Sequence, residues 1–176
     1  MAGDERLRLF LALQIPEDTI STIQEWQARE LSGRLVPREN LHITMAFLGS
    51  RPAGELAAIL RVLGEGARNA VPPRFEVVRW RERRAAGMLE LVDRNGTAAA
   101  ELAGRVQSEL AALGVYRLEN RDWLPHVTVL RYRTPPRLHP PLPELAFVPS
   151  GAAAFLSRLH PSGARYEVLE SFPLGG

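Results

Sequence analysis

The spacing of apolar residues alternates along the chain between the period of a strand and the period of a helix. Leu7, Leu9, Leu11 and Leu13 alternate with other residues, which predicts a strand with one apolar face. The same criteria, with Gly and Pro as breaks, predict strands over 7–13, 41–48, 75–80, 88–92, 126–132, 153–159 and 165–172. Helices are predicted from 16 to just before 33, over 52–68, and between 96 and 114. Loops are predicted over 81–87 and over the proline-rich stretch 133–143.

A strand, a helix and a second strand follow one another in both halves of the chain. Phe10 lies 32 residues before His42, and Leu91 lies 35 residues before His126. This similar spacing indicates a unit that is duplicated, not a longer array of repeats. We therefore predict an α+β fold of two lobes related by a pseudo-two-fold axis, forming a single domain over residues 1–176. Mostly antiparallel sheets would line a central cleft, with the helices outside.

A four-residue motif occurs in each half, within the second of these strands. His42-Ile43-Thr44-Met45 and His126-Val127-Thr128-Val129 share the order His, apolar, Thr, apolar, although the chain has only four histidines. The other histidines, His139 and His160, precede proline and lack the threonine, which indicates loop positions. Residues i and i+2 of a strand point to the same face, so each motif places an imidazole beside a hydroxyl. Two such faces across a cleft would bring the imidazoles together.

The composition excludes several other chemistries. The chain has no cysteine, which excludes disulfides, thiolate metal sites and cysteine nucleophiles. All 22 basic residues are arginine, so there is no lysine for a P-loop, a Schiff base or an adenylated intermediate. The net charge is only +2, so affinity for anions must come from a local patch. The sequence shows neither a signal peptide nor a run of about 20 apolar residues, so we expect a cytoplasmic protein without a membrane span.

Two imidazoles on opposite walls of a cleft suit acid–base chemistry on a phosphodiester. Unperturbed imidazole titrates near about 6.5, so one ring can be neutral while the other is protonated. In-line displacement at phosphorus needs a base for the attacking oxygen and an acid for the leaving oxygen. Thr44 and Thr128 would donate hydrogen bonds to the non-bridging oxygens. The histidines lack metal-ligand spacing, so we predict no metal and no cofactor, with a strained cyclic phosphate as the substrate.

These motifs and their surroundings resemble a known family. The paired motifs resemble the double signature of the 2H phosphoesterases. Residues 9–13, 39–49 and 163–169 resemble the branch known as RNA 2′,3′-cyclic phosphodiesterases, also called 2′-5′ RNA ligases. The resemblance implies a bilobal fold and metal-free hydrolysis of a 2′,3′-cyclic phosphate to a 2′-phosphomonoester. The implied partner is an RNA or nucleotide that ends in such a phosphate.

The resemblance also implies a role for each site residue. His42 would be the general acid that protonates the departing 3′ oxygen, and His126 would be the general base that activates water. Phe47 would lie by the substrate base and Arg131 would contact phosphate. Each of these two is the fifth residue after a motif histidine, and strict alternation would place it on the face opposite that histidine. Their roles therefore require a bulge or twist in each motif strand.

Other interpretations of the same residues stay open. Joining RNA ends by a 2′-5′ linkage without ATP would be the reverse of the hydrolysis, and a non-catalytic nucleotide- or RNA-binding module would keep only the cleft. A two-histidine metal protein would need a carboxylate near the cleft, which the sequence does not place. The near-symmetry of the motifs leaves open which histidine is the acid, and Phe47 suits the core as well as a base platform. We expect a monomer, because the duplicated halves already supply both walls.

Overall fold

The computed structural model describes residues 4–176, and its elements follow the predicted order, with changes at their ends and two further strands of two residues each that were not predicted. The strands are β1 (Arg6–Gln14), β2 (Arg34–Leu35), β3 (Ile43–Pro52), β4 (Phe75–Glu82), β5 (Ala86–Asp93), β6 (His126–Arg131), β7 (Ala146–Phe147), β8 (Gly151–Arg158) and β9 (Arg165–Phe172). The helices are α1 (Glu17–Glu30), α2 (Leu56–Arg68) and α3 (Ala98–Ala112). Short 3-10 turns at Arg38–Asn40 and Ala53–Glu55 precede β3 and α2.

The strands form two antiparallel sheets, which confirms the predicted α+β class. Sheet A has the order β3-β1-β8-β9, and sheet B has the order β2-β6-β5-β4-β7. In sheet A, β1 pairs with β3, and in sheet B, β5 pairs with β6 in the same antiparallel sense. Phe10 pairs with Phe47, and Ala86 pairs with Arg131. Ala86, and not Leu91, is therefore the counterpart of Phe10, because spacing along the chain does not fix strand register.

The predicted loop over 81–87 is mostly strand. β4 runs to Glu82 and β5 begins at Ala86, so the turn between them is short. Trp80 lies across Gly87 on the facing strand, where a Cβ would come within 2.4 Å of the indole. Glycine at this position therefore permits the close packing, and it marks a contact between strands rather than a flexible loop.

The three predicted helices are present, with small changes at their ends. Helix α1 begins at Glu17, directly after Pro16, and ends before Gly33. Helix α2 begins later than predicted, because β3 continues to Pro52 and a 3-10 turn intervenes. Gly114 follows α3 with a φ of 76°, a left-handed conformation that suits a helix stop and favours glycine.

Both faces of β1 are buried, which the alternating pattern did not predict. Leu9, Leu11 and Leu13 are at most 2% exposed and belong to the main core, which both sheets and all three helices share. The opposite face of β1 contributes to a separate, smaller group of buried side chains. This group, here called the aromatic cluster, consists of Phe10, Ala12, Ala153 and Phe155, with Tyr166 packed against them.

Helices α1 and α3 each follow a strand of one sheet and pack on the other. Helix α1 lies between β1 and β3 of sheet A, but its Trp26 ring centroid lies 6.2 Å from that of Trp80 in sheet B. Helix α3 lies between β5 and β6 of sheet B, but it packs on β3 of sheet A. This exchange joins the two halves of the chain. Across residues 4–176, helices long and apolar enough to cross a membrane are absent.

Candidate active site

His42 and His126 are oriented by the same kind of backbone contact. Nδ1 of His42 donates to the carbonyl oxygen of Asn40 at 2.7 Å, and Nδ1 of His126 donates to that of Leu124 at 2.9 Å. Because a carbonyl oxygen only accepts, each neutral ring carries its hydrogen on Nδ1. This leaves Nε2 of each ring as the nitrogen available for proton transfer. The duplication therefore extends to the hydrogen bonds that hold the two rings.

The imidazole of His42 lies against the aromatic cluster. Its ring centroid is 4.9 Å from that of Phe10 and 5.5 Å from that of Tyr166. Burial lowers the pKa of His42 to about 4; the Asn40 carbonyl opposes this change, and the positive charges of His126 and Arg131 add to it. His42 is therefore neutral at pH 7 in the free protein. The influence of His126 and Arg131 also shows that both motif strands contribute charge to one site.

Thr44 lies beside His42 as the strand pattern predicts. His42 itself immediately precedes β3, and Thr44 is the second residue of that strand. The Thr44 hydroxyl donates to Nε2 of His42 at 2.8 Å. In the free protein this bond occupies the nitrogen that a catalytic proton would use. Protonation of Nε2 would release the hydroxyl to donate to another acceptor.

A β-bulge in β3 turns Phe47 to the face that carries His42 and Thr44. Thr44 and Ala46 pair with consecutive residues of β1, so Met45 is the extra residue. One extra residue reverses the alternation of side chains beyond it. Phe47 is accordingly 67% exposed, and its ring centroid lies 5.8 Å from that of Phe10. The bulge that the sequence required is therefore present in the first motif strand.

A matching bulge occurs at the same motif position in β6. Thr128 and Leu130 pair with consecutive residues of β5, so Val129 is the extra residue. Val129 and Leu130 are both buried, whereas Arg131 is exposed. Arg131 thus lies on the face of His126 and Thr128. Each bulge occupies the fourth residue of its motif, and each redirects the fifth residue after its histidine.

A cavity of about 370 Å³ lies where the two motif strands approach each other. Of the six site residues named from the sequence, Thr44, Phe47 and His126 line it. His42 lies directly behind Thr44, through the bond described above. Thr128 is half-buried on β6 and pairs with Met88, which lines the cavity. The cavity is therefore bounded by both lobes.

Comparisons with known proteins show the family. A family model described as the 2'-5' RNA ligase superfamily matches residues 15–158. The chain belongs to this superfamily. A relative from Thermus thermophilus named RNA 2',3'-cyclic phosphodiesterase is 31% identical over 187 residues, which cover 97% of this chain and 91% of the relative. A protein of the same name from Escherichia coli is 30% identical over 135 residues, which cover 72% of this chain and 73% of the relative.

Solved structures of superfamily members share the fold. TT0787 of Thermus thermophilus gives a TM-score of 0.81 at 28% identity, covering 96% of this chain and 98% of that one. LigT of Escherichia coli, complexed with 3'-AMP, gives a TM-score of 0.80 at 26% identity, covering 97% of this chain and 99% of that one. The family resemblance that the paired motifs indicated is confirmed.

Glu90 is a further residue of the site, and the local patterns of the sequence do not predict it. It pairs with His126 across β5 and β6 and lines the cavity. Arg79 and Arg81 bind its carboxylate at 2.9 Å and 2.5 Å. A carboxylate therefore does lie near the cleft, but two guanidinium groups already bind it. Within residues 4–176, no three His, Asp or Glu side chains are grouped to hold a metal ion.

Trp123 joins the two halves at the cleft. Its Nε1 donates to the carbonyl oxygen of Thr44 at 2.9 Å, which ties the loop before β6 to strand β3. Trp123 also lines the cavity. A contact between residues 79 positions apart has no local signal in the sequence. It becomes visible only when the strands of both lobes are placed.

Proposed function

We propose that this chain is a metal-independent RNA 2′,3′-cyclic phosphodiesterase. It would hydrolyse 2′,3′-cyclic phosphate ends of RNA or nucleotides to 2′-phosphomonoesters without a cofactor. The observation that carries the proposal is the matched pair His42 and His126, each held through Nδ1, which leaves Nε2 as the nitrogen for proton transfer. The printed names of the Thermus and Escherichia relatives give the same activity for those proteins.

In the proposed reaction the two imidazoles act on opposite sides of phosphorus. Nε2 of His126 takes a proton from water as the water oxygen attacks phosphorus. The bond from phosphorus to the 3′ oxygen breaks, and Nε2 of His42 donates a proton to that oxygen. The phosphate then stays on the 2′ oxygen. Thr44 and Thr128 would stabilise the non-bridging oxygens through their hydroxyl groups.

The lowered pKa of His42 sets a condition on its role as the acid. At pH 7 the free protein holds His42 neutral, since its pKa is about 4. A bound phosphate would bring negative charge beside the ring and offset the positive charge of Arg131. We expect the bound phosphate to raise the pKa of His42, so that its ring carries the proton that the acid donates. If bound phosphate leaves that pKa unchanged, the neutral ring favours the exchanged roles, with His42 as base and His126 as acid.

Phe47 and Arg131 would bind the two ends of the substrate. The exposed ring of Phe47 at the cavity offers a stacking surface for a nucleobase. Arg131 would contact the phosphate, since its guanidinium is the kind of group that binds phosphate oxygens in pairs. This assignment places the base toward β3 and the phosphate between the motif strands. The substrate would therefore span both lobes, which would act together as a single domain.

The proposal is tested by replacing each histidine with glutamine. His42→Gln and His126→Gln should each lower kcat on a nucleoside 2′,3′-cyclic phosphate by at least about 100-fold, the usual contribution of one proton transfer. Binding of a nucleoside 2′-monophosphate, measured by calorimetry, should persist. His139→Gln is the matched control, since it removes a histidine from the proline-rich loop. Near-normal turnover in either motif variant would contradict the acid–base pair, and a wild-type protein that binds without turnover would be a binding module.

Joining of RNA ends is the second candidate, because the superfamily carries that name. A 5′ hydroxyl in place of water would attack the 2′,3′-cyclic phosphate with the same two proton transfers and form a 2′-5′ linkage, so joining would parallel the hydrolysis rather than reverse it. Supplying both ends without ATP should yield the joined product only at high concentrations of RNA ends, where water competes less well. A cytoplasmic location and a monomeric state stay predictions. Gel filtration with light scattering measures the second directly.

A further inference from the structure

Each of the two bulges places backbone groups outside the regular hydrogen bonding between strands, and these groups need another hydrogen-bond partner. A bulge adds a residue to one strand, so its carbonyl and amide no longer match the neighbouring strand. A carbonyl oxygen left without a donor inside a protein costs stability, and the strand can then relax toward the regular register. Relaxation of one residue would turn the fifth residue after the histidine back to the other face. The group that binds the bulge carbonyl therefore helps to determine on which face of the strand Phe47 or Arg131 lies.

At the bulge of β3 the donor comes from helix α3. Nε2 of Gln107 donates to the carbonyl oxygen of Met45 at 2.7 Å. Gln107 lies near the middle of α3, the helix that follows β5 of sheet B but packs on β3 of sheet A. The helix of one half thus binds the bulge of the other half.

At the bulge of β6 the carbonyl oxygen of Val129 accepts from the backbone amide of Val36 at 3.1 Å, and a second donor comes from helix α1. Nε2 of Gln27 donates to the carbonyl oxygen of Val129 at 2.9 Å and to that of Val36 at 3.0 Å. Gln27 is 2% exposed, so its amide is held in place by these bonds. Helix α1 belongs to the first half of the chain, and β6 carries the motif of the second half.

The two contacts correspond to each other under the duplication. Each glutamine follows a buried core residue, Trp26 in α1 and Val106 in α3. Each reaches across to the fourth residue of the opposite motif, and each does so through Nε2. A glutamine that only satisfied its own amide would not need to meet the corresponding carbonyl in both halves.

We propose that Gln27 and Gln107 are positioning residues, which hold the bulges at Val129 and Met45 and thereby aim Arg131 at the phosphate and Phe47 at the substrate base. The proposal rests on the proposed function, because the phosphate and the base belong to the substrate of that function. Gln107 then governs binding of the base, and Gln27 governs contact with the phosphate. The two glutamines should therefore have different kinetic effects, although their structural contacts are alike.

The test is a pair of double-mutant cycles on a nucleoside 2′,3′-cyclic phosphate. Gln107→Met keeps the length of the side chain and removes the donor; it should raise KM about tenfold, the effect of one lost hydrogen bond, with kcat within about twofold. In a Phe47→Ala background the same change should have no further effect on KM, because the ring it aims is gone. Gln27→Met should lower kcat/KM about tenfold, and in an Arg131→Ala background it should lower it no further.

A glutamine of α1 that contacts neither bulge provides the control. Gln24 accepts a hydrogen bond from Arg38, and Gln24→Met should leave both kinetic constants near those of the wild type. Effects of the Met variants that add in full to those of Phe47→Ala and Arg131→Ala would overturn the proposal. The kinetics of Gln27→Met are used only if its melting temperature shows that the variant folds. If it does not fold, the Gln107 cycle alone tests the proposal. Absence of turnover in the wild type would instead contradict the proposed function.

Discussion

Replacing His42 with glutamine should flatten the pH dependence of stability between pH 7 and pH 5. The unfolded chain binds a proton at this histidine near its ordinary pKa of 6.5, whereas the folded protein binds it only near about 4. Between these values the unfolded state holds more protons, so the free energy of unfolding falls as the pH falls. The stability contribution of the neutral ring is complete above pH 6.5 and is lost progressively toward pH 4.

The size of the effect follows from the two pKa values. The full difference corresponds to about 3 kcal/mol, and linkage predicts a loss of about 2 kcal/mol between pH 7 and pH 5 from this one side chain. Carboxylates with ordinary pKa values remain mostly ionised at pH 5, so they contribute little over this range. The cause is the contact of the ring with Phe10 and Tyr166, which removes it from water.

Urea unfolding at both pH values measures this loss for the wild type and for His42→Gln. The variant should lose about 2 kcal/mol less than the wild type on going from pH 7 to pH 5. Any constant change from the substitution itself cancels in the comparison. His139→Gln serves as the control for removing one imidazole outside the aromatic cluster. Equal pH dependence in wild type and His42→Gln would mean that burial against the aromatic cluster does not lower the pKa of His42.

Three further predictions concern the substrate. Inorganic phosphate should raise the pKa of His42 above about 4 in an NMR titration, and an unchanged value would contradict its role as the acid. His42→Gln should lose much less activity on a substrate whose 3′ oxygen is replaced by sulfur, since a thiolate leaves without a proton; an equal loss on both substrates would oppose that role. Phe47→Ala should raise KM for a nucleoside cyclic phosphate by about tenfold but leave KM for a cyclic phosphate without a base unchanged, and equal changes would exclude stacking.

The sequence predicted those features of the site that follow from local periodicity. Alternation placed Thr44 beside His42, and the 2.8 Å bond between them confirms it. The count of five residues to Phe47 and Arg131 required a bulge between each histidine and its fifth residue, and the register has one at that place in both strands. Antiparallel sheets and three helices also followed from spacing and from Gly and Pro breaks. These features depend on the backbone of one strand or helix at a time.

Contacts between the lobes could not be predicted, because they join residues far apart in the chain. Gln107 and Met45 are 62 residues apart, and Gln27 and Val129 are 102 apart. These contacts form because α1 and α3 each pack on the sheet of the other half. The periodicity of apolar residues does not predict which sheet a helix packs on. The different surroundings of the two histidines have the same origin. Phe10 lies opposite Phe47, whereas its counterpart Ala86 brings no ring to His126. The aromatic cluster therefore lies beside His42 and not beside His126.

Product analysis is the decisive test of metal-free hydrolysis by the two histidines. The wild-type protein is incubated with a nucleoside 2′,3′-cyclic phosphate in excess EDTA, and the monoester is identified by phosphorus NMR. We expect complete conversion to the 2′-phosphomonoester, with His42→Gln and His126→Gln nearly inactive under the same conditions. A 3′-phosphomonoester would contradict the proposed placement of acid and base about phosphorus, and loss of turnover on adding EDTA would contradict metal-free catalysis by the two histidines.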